Sequence, residues 1–224
     1  GILHRTLGRC LLGRGEFAEA LQELEREGAR DPESLGWQAR ACLGLERPRP
    51  AAALLKEALA QAPASPAPAL EILLARSQAL DDHLEEAYQA LDRAEALAPA
   101  DLSIPLLRAA MLLGEGKDLP RALAMSERVF AATPDRTEVQ AIYGWALLAS
   151  GRPAEAIPVL QQVAHPGKDP DSSLKLAEAL VQVGRVEEAK VLLAPLSARR
   201  DALGRKAREM TEALPPPPPA EPAK

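Results

Sequence analysis

The feature that most constrains this chain is an alanine that returns at near-constant intervals. Ala20, Ala51, Ala87, Ala122, Ala156 and Ala189 are separated by 31, 36, 35, 34 and 33 residues. Twelve residues before each stands another small residue: Gly8, Ala39, Ala75, Ala110, Gly144 and Ala177. Four residues after each stands Leu24, Leu55, Leu91, Leu160 or Leu193, with Ser126 the one break in the series. An i,i+4 spacing puts the alanine and the leucine on one helix face. Helix axes approach to about 8–10 Å only where the side chains at the crossing are small. A period near 34 residues therefore predicts stacked helix-turn-helix units in place of one central core.

Turn formers separate the two helices of each unit: Gly15, Pro48, Asp82, Asp118, Gly151 and Gly184. Pro32, Pro63, Pro99 and Pro134 punctuate unit ends, where a helix must stop. The expected units run about 1–34, 35–65, 66–99, 100–134, 135–168 and 170–196. The second unit is three residues short. The deficit is assigned to its turn or to the preceding linker, which leaves the register of its first helix open by about one turn. Ser65 and Pro66 are read as N-cap and first residue of the third unit, and Asp101 or Ser103 as the cap of the fourth. Asp118 is read as the cap of the fourth unit's second helix. Pro158 is expected to bend a second helix. Residues 197–214 carry an apolar stripe of Leu203, Ala207, Met210 and Leu214, as a helix closing the last unit needs. The proline-rich tail, 215–224, is expected to be disordered and to act as a linker.

The first unit, with Leu7, Gly8, Leu11, Phe17, Ala20, Leu24 and Pro32 at its marked positions, closely resembles the tetratricopeptide repeat; Glu27 departs from that pattern. The resemblance covers about residues 1–196 and implies an all-α, right-handed α-solenoid of about six such units plus a C-terminal capping helix. It also implies a concave groove, lined by the first helices, that binds peptide segments.

Carrying the groove positions over names Arg5 and Arg9 in unit one, Arg40 in unit two, Arg76 in unit three, Leu107, Arg108 and Met111 in unit four, Ile142 and Trp145 in unit five, and Glu178 in unit six, with Lys175 beside it. Arg9, Arg40, Arg76 and Arg108 form an expected cationic ladder. Helices about 10 Å apart lie within about one Debye length of each other, so their fields overlap. Trp145, Ile142, Met111 and Leu107 form an expected apolar patch, of the residue types that anchor interfaces. Trp37 is read as core. The implied partner is a protein or peptide of acidic and apolar character. The carboxylate-clamp subtype of the family needs groove asparagines, and the chain contains no Asn.

Composition removes other classes. A net charge of −5 argues against general nucleic-acid binding, and no apolar run reaches the ~20 residues of a membrane span. Gly13-Arg14-Gly15 joins two helices, so it lacks the strand a dinucleotide site requires. His4, His83 and His165 fall in different units without ligand-type partners, and no nucleophile and base are set together. The expectation is a non-catalytic scaffold with no cofactor. Cys10 and Cys42 are read as buried, inert thiols. The lack of Asn and the excess of Arg over Lys suggest a GC-rich bacterial genome. The alternatives are a self-associating (homo-oligomeric) assembly protein of the bacterial cell envelope, pilus or secretion machinery, and the adaptor portion of a larger protein.

Overall fold

The computed structural model describes residues 2–61 and 67–214. Every regular element among them is a helix. They pair as α1 (Ile2–Arg14) with α2 (Phe17–Glu27), α3 (Pro32–Gly44) with α4 (Pro48–Gln61), and α5 (Pro68–Leu80) with α6 (Leu84–Leu97). Next along the chain come α7 (Ser103–Glu115) and α8 (Leu119–Ala132); α9 (Thr137–Ala149) then pairs with α10 (Pro153–Gln161) and α11 (Pro170–Gln182) with α12 (Val186–Ser197), and α13 (Ala202–Glu212) packs on α12. The chain forms two compact units, Gly1–Met111 and Leu112–Lys224.

The alanine marks are all fully buried, as are the five leucines that follow them. Ser126, the exception, is also buried and donates from Oγ to the Leu123 carbonyl at 3.0 Å, so its hydroxyl is satisfied within its own helix. The small residues of the first helices are needed where they stand. A Cβ on Gly144 would lie 2.6 Å from Leu160 Cγ, and one on Gly8 would lie 2.7 Å from Leu24 Cγ. Two positions depart from the stencil: Ala110 is only partly buried, and Leu7 is 45% exposed.

One backbone device closes every first helix. The N–H of Glu16, Arg47, His83, Lys117, Arg152 and Arg185 bonds the carbonyl five residues back, on Leu11, Cys42, Gln78, Leu112, Leu147 and Leu180. This is the six-to-one bond of a Schellman closure, which needs a left-handed residue just before the donor. That residue is Gly15, Glu46, Asp82, Gly116, Gly151 or Gly184. Unit two therefore turns at Glu46 (φ 56°), and Pro48 instead opens α4. Asp118 is also left-handed and makes no side-chain cap bond.

The caps that do use side chains are aspartates at first helices and at α13. Asp31, Asp101 and Asp169 accept from Ser34 N at 3.1 Å, Ser103 N at 2.9 Å and Ser172 N at 3.0 Å, and Asp201 accepts from Gly204 N at 2.9 Å. Pro32, expected to end a unit, is the first residue of α3, where its missing N–H costs nothing. The expectations on Ser65, Pro66 and the tail fall outside the described residues. Pro158 sits inside α10, the shortest helix at 9 residues.

The three missing residues of unit two lie in α2. From the start of the first helix to the buried alanine is 19 residues in each of units two to six, for example Pro32 to Ala51 and Pro170 to Ala189. Helix α2 has 11 residues where α4, α6 and α8 have 14, and Gly28 in the left-handed region stops it early. This settles the register of α3. Each first helix packs beside the next within the first compact unit, α1 on α3 and α3 on α5, and in the second compact unit α9 packs on α11 and α11 on α13. Leu203, Met210 and Leu214 pack with buried Ala207 against the α11–α12 core.

Candidate functional site

With the register settled, equivalent positions can be compared. Arg9, Arg40, Arg76, Met111, Trp145 and Glu178 occupy one position of successive first helices, and Thr6, Trp37, Leu73, Arg108, Ile142 and Lys175 occupy another, three residues earlier. Arg108 is thus out of phase with the other three arginines of the expected ladder.

Arg9, Arg40 and Arg76 line one hollow of about 510 Å³ in the first compact unit, together with Trp37, Leu12, Phe17, Leu43, Leu73 and Leu80. No carboxylate is among its lining residues. All three arginines are exposed. The Arg9 guanidinium carbon lies 4.6 Å from the Trp37 ring centroid. Arg5, also expected in the groove, lies 5.7 Å from the same ring but is committed elsewhere. It donates from Nε to Glu27 and from an amino group to Asp31, both at 2.6 Å. The Glu27 bond, larger than its burial cost, holds the Arg5 guanidinium above its usual pKa. Glu27 is the departure from the repeat pattern noted above, and pairing with Arg5 is what it does here.

Trp37 is therefore a half-buried wall of the hollow rather than a core residue. The signal was present, since it shares its position with groove residues such as Ile142. It was hidden by the open register of α3.

Arg108 does not join the others. Its side chain is 12% exposed and donates to Asp92 at 2.9 Å and Glu95 at 3.1 Å on α6, near the Tyr88 ring. Starting three residues out of phase, it meets the acidic second helix and is neutralised there. Met111 is a second correction: it is 5% exposed and belongs to the core cluster of the first compact unit, with Leu107 packed partly against that cluster. Met111 is in phase with the arginines, but an unbranched apolar chain is driven inward where a guanidinium stays in water.

In the second compact unit, Trp145 and Ile142 are half-buried. The Lys175 ammonium stands 4.0 Å from the Trp145 centroid. Burial first, and then Lys206, hold Lys175 below the usual lysine pKa. Glu178 is 4.0 Å from Lys206. The Trp145–Lys175 pair uses the same two positions as Arg9–Trp37, with cation and ring exchanged.

Cys42 is buried, and burial pushes its thiol up, whereas Cys10 is exposed on α1, contrary to expectation. Among the described residues, no group of three or more His, Cys, Asp or Glu could hold a metal ion, and no helix is long and apolar enough to cross a membrane.

Helix pairs stacked on a recurring small-residue crossing, closed by a repeated backbone turn, define a helical-repeat protein-interaction scaffold. Residues 2–26 and 147–210 each match a family model described as tetratricopeptide repeat, so these two segments carry tetratricopeptide repeats. Among solved structures it is similar to TTC0263, a thermophilic tetratricopeptide-repeat protein of Thermus thermophilus, at 26% identity over 80% of this chain and 97% of that one, TM-score 0.66. It is also similar in fold to a tetratricopeptide repeat protein of Parabacteroides merdae, at 13% identity over 94% and 84%, TM-score 0.70. A third similar fold is NprR, solved in complex with its cognate peptide NprX, at 14% identity over 94% and 70%, TM-score 0.64. A comparison with curated proteins found no match.

Proposed function

We propose that the chain is a peptide-binding scaffold whose first compact unit receives an acidic segment carrying apolar side chains. The observation that carries this reading is the hollow of Arg9, Arg40 and Arg76, which has three guanidinium groups and no carboxylate among its walls. In a chain of net charge −5 such a local concentration of positive charge selects anions. Leu12, Leu73 and Leu80 offer apolar contact beside the charges. The structural likeness to a protein solved with a bound peptide is consistent with this use of the fold.

The test uses two immobilised peptide libraries, one of Asp, Glu and Leu and one of Lys, Arg and Leu. The chain retains the acidic library, and Arg40→Glu weakens retention by about tenfold or more, worth about 1.4 kcal/mol. Arg40 is exposed and makes no ion pair among the described residues, so the melting temperature stays within about 2 °C. Equal retention of both libraries, or no effect of Arg40→Glu, overturns the reading.

A further inference from the structure

We propose that the hollow of the first compact unit is selective for a phosphorylated side chain of its partner, over a plain carboxylate. The inference rests on the acidic-peptide reading above and names the anion.

The argument begins with how Arg9 is held. A guanidinium carries its five N–H donors in its own plane and its weakly hydrated surface on its two faces. Lying 4.6 Å from the Trp37 centroid, Arg9 is positioned by the ring and not by a carboxylate. A ring contact consumes no N–H. A carboxylate partner would have used two, as Glu27 and Asp31 do with Arg5 next door. Trp37 thus separates its two arginine neighbours: Arg5 is neutralised, while Arg9 is oriented and left with its donors available. Arg40, on the adjacent helix α3, has no ion pair among the described residues and lines the same hollow. Arg76 on α5 lines it from the third helix.

Arg9 and Arg40 together bring two positive charges and two forks, more than the single charge of one carboxylate balances. A carboxylate brings one charge and two oxygens, both of which a single bidentate arginine fork engages. A phosphate monoester brings a charge of about −1.5 to −2 and three acceptor oxygens. It can therefore take the forks of Arg9 and Arg40 at once, the two sharing one oxygen. The apolar walls, Leu12, Leu43, Leu73 and Leu80, suit the side chains that flank a phosphorylated residue in a peptide.

The experiment compares three peptide libraries with identical randomised flanks and a fixed central Ser, Glu or phosphoserine, titrated against the full chain by fluorescence anisotropy. The phosphoserine library binds at least tenfold more tightly than the Glu library. Arg9→Gln combined with Arg40→Gln abolishes that margin and keeps the helical circular dichroism signal. Trp37→Leu, which retains apolar bulk and frees Arg9 from the ring, narrows it severalfold. Free phosphoserine competes only at much higher concentration than the peptides. Equal affinity for the Glu and phosphoserine libraries overturns this proposal and leaves the acidic-peptide reading standing. Failure of both libraries to bind overturns both. Competition by free phosphoserine at concentrations equal to the peptides overturns the assignment to a protein partner.

Discussion

Arg9 and Trp37 meet across neighbouring helices, the guanidinium 4.6 Å from the ring centroid, and Trp145 and Lys175 repeat the contact at 4.0 Å with the roles reversed. Arg9 and Trp145 occupy one position of the repeat, Trp37 and Lys175 the other. The repeat therefore provides a seat at which side chains of successive first helices come face to face. Cation–π contacts at exposed sites contribute about 0.5–1 kcal/mol. A double-mutant cycle on Arg9→Ala and Trp37→Leu is expected to give a coupling of about that size in acidic-peptide binding. Strict additivity would mean that the ring does nothing for Arg9.

The turn of unit two offers a gain in stability. Glu46 is held at φ 56° in a place where units one, four, five and six use glycine. Left-handed backbone costs a residue with a Cβ roughly 1–2 kcal/mol, part of which glycine returns as entropy lost on folding. Glu46→Gly is expected to stabilise the chain by about 0.5–1 kcal/mol in urea denaturation. Asp82→Gly gains less, since aspartate tolerates this region. A destabilised Glu46→Gly variant would contradict the shared-turn assignment.

Two glycines in helices should respond to alanine with opposite signs. At Gly144 the new Cβ meets Leu160 at 2.6 Å, inside the helix crossing, so Gly144→Ala is expected to cost about 1–3 kcal/mol. At Gly13 nothing lies within 4 Å, and Gly13→Ala gains about 0.5–1 kcal/mol of helix propensity. Thermal unfolding of the pair reads both. Equal effects would show that the crossing in α9 is not close-packed.

Asp201 predicts a pH dependence at the start of α13. The Arg199 ion pair first, and then the Gly204 N–H, hold its carboxyl below the usual aspartate value. A carboxylate depressed in the folded state stabilises fully above its unfolded pKa of about 3.9, and this is lost as pH falls through the folded value. Asp201→Asn keeps an acceptor for the cap but has no proton to bind. Its melting temperature should therefore fall less than that of the wild type between pH 5 and pH 2.5. Parallel curves would remove Asp201 from the acid response.

Much of this fold was legible beforehand because packing forces a rule on every unit. Ala87 and Ala156 are buried because any larger residue would push two helix axes apart, and that demand repeats wherever helices cross. The aspartate at 101 and the stripe of α13 could be read for the same reason: a cap and an apolar face are local needs. The turn of unit two was misplaced because proline is a strong punctuator, yet the left-handed backbone falls on a glutamate whose chemistry does not announce it. The arginine ladder was misread at its fourth rung, where Arg108 stands three residues out of phase and turns to the acids of α6.

The recurring alanines and leucines determined by themselves that the chain is built of paired helices, since side-chain volume at a crossing is set by residue type alone. Only the tertiary structure decided that α2 stops a turn early at Gly28, which sets Trp37 beside Arg9. It alone decided that Arg5 and Arg108 are neutralised while Arg9 and Arg40 face a hollow with no carboxylate among its lining residues. Whether a charge is spent or available depends on which acids stand within a few ångströms of it, and those neighbours come from other helices, distant in sequence.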